Sequence, residues 1–263
     1  MTTGASEAGP VPSRVLWGPS AMALLRLSWA RTMTPAVLAA LVALVLLPML
    51  FAIAFAARGA LSGDPVEFLL QRTDQLIGGL ATPLFALLLG TSAFAAESED
   101  GTLHYLVTTT TPRWWITLVR TGFAAVGTAL LSAATVWGTG WIAANGSDPE
   151  GVSSAFTIAT AFGGATYAAL FTLLALMTRR ALVTGLGYIL IWEGTLASAL
   201  PGLKYLSVRQ WMLAVAEARM SATTEALEGA PPEAVAWVGG AVVVGMAVHL
   251  GGRWLGGGGR SGR

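Results

Sequence analysis

The chain has 263 residues, 54% hydrophobic and 11% charged, less than half the roughly 25% charge of an ordinary soluble domain. Fifteen Lys and Arg against fourteen Asp and Glu leave a net charge of +1, which gives no electrostatic case for nucleic acid. The absence of cysteine excludes disulfides, thiolate zinc sites and iron–sulfur clusters, and two histidines, His104 and His249, are too few and too far apart for a metal site or a triad.

In chain order, residues 1–13 are Gly/Ser/Pro-rich and are expected to be disordered. Residues 14–33 place Met22, Leu25, Trp29 and Met33 at helical spacing beside Arg14, Arg26 and Arg31. That pattern predicts an interfacial helix before Pro35, or else an extension of the first span; Arg26, Trp29 and Arg31 are its candidate membrane contacts. No charge occurs in 32–57, 75–96, 121–147, 151–178 or 234–252, and 181–199 is interrupted only by Glu193. A helix needs about 20 apolar residues to cross the hydrocarbon core. The expectation is an all-α polytopic membrane protein with six transmembrane helices, at about 35–57, 75–96, 115–144, 153–178, 181–199 and 234–252. The first run is too long, starts too late and lacks the small-residue site of a cleaved signal.

Pro48 and Pro83 predict kinks in spans one and two. Asn145–Pro149 reads as a tight turn, whose Asn-Gly-Ser match to a glycosylation acceptor carries no weight. Gly122, Gly127, Gly163 and Gly164 allow close helix packing, and Gly185-Leu-Gly187 a bend. Residues 254–263 read as a flexible tail.

Orientation follows from the basic residues. With six spans, one side receives Arg14, Arg26, Arg31, Arg113, Arg120, Arg179, Arg180, Arg253, Arg260 and Arg263; the other receives Arg58, Arg72, Lys204, Arg209 and Arg219. The richer side, with both termini, is expected in the cytoplasm. Arg120, one turn into span three, is expected to snorkel to that surface.

Three places carry candidate chemistry. Glu97 and Gly101 share a helical face, and Glu99 and Asp100 can accept charged hydrogen bonds from a basic partner or cap a helix; equally, these acids can simply stay in water. Glu193, a carboxylate deep in an apolar run, either binds a cation, moves a proton or pairs with Arg, or is held structurally by Tyr188, Thr195 or a neighbouring span. Within 200–233, bounded by Pro201-Gly202 and Pro231-Pro232, Val208, Trp211, Met212 and Val215 recur at helical spacing, with Arg209, Gln210 and Glu217 available to water. A short amphipathic helix or a re-entrant element is expected there, at the outer face, with Trp211 and Met212 as its apolar contacts.

The run Glu97-Ser-Glu99-Asp100-Gly101-Thr102-Leu103, then Leu106 and Pro112-Arg113 before the next span, resembles the cytoplasmic signature of ABC-2-type transporter permeases. The layout resembles that family over about residues 15–253: an interfacial helix, six spans and a long outer connection before the last, a type V exporter-like architecture. The resemblance implies that Glu97, Glu99, Asp100, Gly101, Thr102, Leu103, Pro112 and Arg113 couple to cytosolic ATPase subunits, two per complex. It implies a dimer with a second copy or a related permease, built on spans one and five, in a bacterial plasma membrane. Glu193 would then serve translocation or gating, and the 200–233 element would cap the route or merely rest on the membrane. The sole lysine, Lys204, lies outside any Gly-x-x-x-x-Gly-Lys-Ser/Thr loop, so ATP and magnesium are expected on the partner and no cofactor in this chain. The alternatives are an ATP-independent secondary transporter or channel, and a membrane scaffold without cargo.

Overall fold

The computed structural model describes residues 17–59, 64–92, 94, 112–178, 180–197, 201–220 and 230–257. They form a multi-span, all-α membrane-protein fold. Among the described residues five helices are long and apolar enough to cross a bilayer: Pro35–Arg58 (α2), Pro65–Ser92 (α3), Arg113–Ala143 (α4), Pro149–Met177 (α5) and the last, Glu233–Gly257 (α8), whose apolar part ends at Arg253. Shorter helices are Trp17–Thr32 (α1), Ala181–Leu196 (α6) and Val208–Glu217 (α7).

The helix starts follow local chemistry. The Thr34 hydroxyl accepts from the Val37 N–H at 3.4 Å and Pro35 occupies the first turn, where its missing N–H costs nothing. Asp64 caps α3 through the Val66 N–H at 2.9 Å, again followed by proline. The second span therefore starts at Pro65, earlier than its charge-free run, because polar Glu67, Arg72 and Asp74 ride on the same continuous helix. Just before Pro83, α3 widens: Thr73–Ala81 is π-helical, and the Thr82 N–H bonds the Ile77 carbonyl five residues back. Pro83 has no N–H for an ordinary turn, and the wider winding accommodates that loss. At the other end of the chain, helix α8 continues past the expected boundary at 253 to Gly257.

Helices α4 and α5 form the centre. Along α4, Thr117, Thr121, Ala124, Thr128, Ser132, Thr135 and Thr139 recur every three or four residues, all buried. Their size is what matters: Gly164 of α5 lies so close to Thr128 that a methyl there would sit 2.9 Å from its Cγ2, and a methyl at Gly140 would collide with Ser153. With lipid as apolar as leucine, such close backbone approach is what holds spans together. Thr117 and Thr135 return their hydroxyls to their own helix, to the carbonyls of Arg113 (3.2 Å) and Leu131 (2.7 Å).

Two ends can be distinguished. At the basic end lie α1, Arg113, Arg180 and Arg253; here Leu24, Phe94, Ile116, Leu176 and Ala181 form one cluster, and Thr32 bonds Ser92 at 2.9 Å, fixing α1 to the end of α3. At the mixed end lie Arg58, Asp64, Asp148, Glu150, Arg219 and Glu233, with Phe55 of α2 stacked on Phe68 of α3 at 4.0 Å. In α1 the side chains of Met22 and Trp29 are exposed, and Trp29 meets Phe123 of α4 edge-on at 6.4 Å.

Candidate functional site

Helix α7 forms because Ser207 caps it, its hydroxyl accepting from the Gln210 N–H at 3.2 Å, and because apolar residues follow at helical spacing. It does not rest on the membrane. Trp211, Met212, Leu213, Ala214, Val215 and Ala216 are all buried, so the helix is covered on every side. Glycines of three spans receive it. The Met212 side chain fills the space a Cβ would need at Gly163 of α5, the Trp211 ring lies against Gly239 of α8, and the Arg209 guanidinium lies over Gly79 of α3. Gly163 stands near the middle of α5, so α7 lies inside the bundle.

Glu193 is the lock at its inner end. The carboxylate is 3% exposed and accepts three bonds: from the Ser207 hydroxyl at 2.5 Å, the Val208 N–H at 3.1 Å and the Tyr188 hydroxyl at 3.1 Å. Val208 is the first residue of α7, so the negative charge sits at a helix N-terminus, where unsatisfied N–H groups and the helix dipole favour it. Tyr167 of α5, fully buried and past the midpoint of that span, neighbours the same carboxylate. Tyr188 meets Phe171 at 6.0 Å and stacks over Trp192 at 6.4 Å, an aromatic wall around the charge.

A second carboxylate holds α7 from the opposite direction. Asp74 binds Arg209 in bidentate fashion, Oδ1 to Nε at 3.1 Å and Oδ2 to Nη2 at 2.7 Å. Both acids lie in π-helical segments, Asp74 in Thr73–Ala81 and Glu193 in Tyr188–Leu196, and these two segments touch. Beyond α7, Arg219 pairs with Glu233 at 2.7 Å, and the Trp237 indole donates to the same Glu233 oxygen at 2.9 Å, tying the helix exit to the start of α8.

This arrangement changes the reading of the fifth expected span. Helix α6 is about 24 Å long at 1.5 Å per residue, short of a hydrocarbon core of roughly 30 Å. It leaves the basic end and reaches the depth of Tyr167, where Glu193 meets the start of α7; α7 then runs out to the mixed end at Arg219. Helix α6 thus covers 181–196 of the span expected at 181–199, and α7, beginning at Val208, continues from the depth of Glu193.

Of the other sequence-derived candidates, Glu97, Glu99, Asp100, Gly101, Thr102 and Leu103 lie outside the described residues. Pro112 is the N-cap of α4 without a side-chain capping bond, and Arg113 opens the helix half-buried at the basic end. Trp114 is exposed and meets Trp115 edge-on at 5.7 Å. Arg26 is exposed on α1, while only the backbone of Arg31 is described. Arg120 does not snorkel: it is 1% exposed, with its guanidinium 4.9 Å from the centre of the Phe94 ring. Phe94 covers it, and a cation over an aromatic face is stabilised without reaching water. The sequence reading missed Ser207, Asp74 and the Arg209 pairing; the one available signal was serine directly before the apolar run of α7, a capping pattern. Among the described residues no three His, Asp or Glu side chains converge as metal ligands. No family model matches the chain, and no curated protein matches it in sequence.

Proposed function

We propose that this chain is the permease subunit of an ABC-2-type exporter, forming a translocation path with a second copy or a related permease and driven by two cytosolic ATPase subunits. The observation that carries the reading is the asymmetry between the ends of the bundle. From mid-depth to the mixed end, helix α7 is clamped between Asp74 on α3 and Glu193 on α6. At the basic end the acidic run from Glu97 to Leu103 joins α3 to α4, and α3 is the span that carries Asp74. A push on that connection acts along α3 directly on one side of the clamp. ATP and magnesium bind the partner; this chain supplies the lever and the gate.

In this mechanism Glu193 and Asp74 contact α7, with cargo passing on the path they close. Closure of the ATPase pair draws two 97–113 connections together, shifts α3 against α6 and loosens the hold of the two π-helical segments on α7. The apolar surfaces of α2, with Leu38, Val42 and Leu46 exposed, and of α6, with Leu190 and Ile191 exposed, face lipid or the second permease. The test is affinity purification from the native membrane in mild detergent, followed by mass spectrometry of what is retained. A stoichiometric ATPase is expected, and its loss in an E99R/D100R variant that still purifies as a folded membrane protein. An intact chain that moves cargo down an ion gradient with no ATPase attached would replace this reading with a secondary transporter.

A further inference from the structure

At the basic end the first turn of α4 and the last turns of α8 border an open groove of about 530 Å³. Its walls are Arg113 and Trp114 from α4, and Gly245, His249, Gly252 and Arg253 from α8. His249 and Arg253 are one turn apart on α8 and share the face that lines the groove with Arg113. Among the described residues no carboxylate pairs with Arg113, His249 or Arg253.

The glycines give this groove its shape. A Cβ at Gly252 would lie 3.2 Å from the Trp114 Cα, so the two helices touch at that level. Two turns deeper along α8, a Cβ at Gly245 would meet nothing within 4 Å, so the helices part and leave open space. The groove lies where the charge-free run 234–252 gives way to Arg253, at the boundary between hydrocarbon and water, with exposed Trp114 at its rim. A cationic cleft at that depth, polar at its mouth and apolar below, fits one phosphate-bearing group with acyl chains beside it.

We propose that this groove binds the headgroup of an anionic phospholipid, with Arg113 and Arg253 on the phosphate and the space beside Gly245 taking the glycerol and upper acyl chain. Lipid binding here does not require the proposed ATPase, although Arg113 also belongs to the 97–113 connection. Bound there, the lipid joins the start of α4 to the end of α8 at the end of the molecule where α4 emerges from the 97–111 connection.

The experiment uses the full chain in nanodiscs of phosphatidylcholine doped with phosphatidylglycerol, with retained lipid measured by native mass spectrometry. Phosphatidylglycerol is expected to be enriched over phosphatidylcholine. R113Q and R253Q should each cut that enrichment about five-fold, the effect of one basic residue at an anionic surface. G245L fills the space with every charge kept and should cut it as well, separating a shaped site from general attraction. R180Q, which removes an exposed arginine from the same end, should leave it unchanged. No preference for phosphatidylglycerol, or an equal loss in R180Q, overturns the proposal. Displacement of the lipid by inorganic phosphate also overturns it, by showing a site for free anions. G245L and R113Q that elute as monodisperse, folded protein keep a loss of binding from being a loss of fold.

Discussion

At the scale of single residues, the question is what a carboxylate gains by being buried inside a membrane bundle. Glu193 takes all its partners from the protein: a tyrosine, a serine and a backbone N–H. Removing it leaves two buried donors and one half-buried donor without an acceptor, a buried one costing about 1–3 kcal/mol. Glu193→Ala should therefore destabilise the protein by about 3 kcal/mol after partial relaxation, read as a lower midpoint of thermal unfolding in detergent. Glu193→Gln keeps an acceptor for Tyr188 and Val208 and should cost about 1 kcal/mol. An E193A variant as stable as the parent would mean that the carboxylate is not what holds α7. Asp74 and Arg209 make a different case, because both side chains are about a quarter exposed. Water can rescue either one, so Arg209→Ala should cost only about 1 kcal/mol. The exchanged pair D74R/R209D should recover less than its charges suggest, since Gly79 provides room for a guanidinium on α7 rather than on α3.

At the scale of elements, α7 shows what patterning can and cannot reveal. Its existence and apolar face were legible, since Val208, Trp211, Met212 and Val215 fall at helical spacing. Its depth was not, because depth is set by Glu193 meeting Ser207 and by Asp74 meeting Arg209, and the second pair is 135 residues apart in the chain. Spacing within one segment carries no information about such partners. The same limit hid the burial of Arg120, which depends on where Phe94 folds back. The five long apolar runs, by contrast, were readable from charge-free length alone, because the bilayer imposes that length on each helix separately. The glycine sockets give the element a direct test. Gly163→Val would collide with Met212 and should lift α7 from α5; Met212→Ala in the same protein should let it settle again. The chain has no cysteine, so a single Val215→Cys reports cleanly. Val215 is fully buried and should resist a water-soluble maleimide in the parent, react in G163V, and be protected again in G163V/M212A. Equal labelling in all three backgrounds would mean that α7 is not seated by that contact.

At the scale of the whole molecule, the broken crossing makes a statement about sidedness that five long helices alone do not. If α6 and α7 together complete one crossing, Arg180 before α6 and Ala218 after α7 face opposite sides of the membrane, and Ala218 shares its side with Ser147 in the turn between α4 and α5. The charges say which side is which. Among the described residues the basic end carries Arg26, Arg113, Arg180 and Arg253 with no carboxylate, whereas the mixed end combines both signs. Arginine-rich short connections stay in the cytoplasm, and acids count for little in that choice. Single cysteines at these three exposed positions, treated on intact cells with a membrane-impermeant maleimide, separate the possibilities. S147C and A218C should label directly and R180C only after the membrane is opened. Labelling of R180C alone would invert the molecule and place the clamped helix on the cytoplasmic side, removing the gate from the end where the proposed exporter needs it. S147C and A218C on opposite sides would leave the orientation intact but show that α6 and α7 turn back rather than cross, and Glu193 would then lock a hairpin rather than a span.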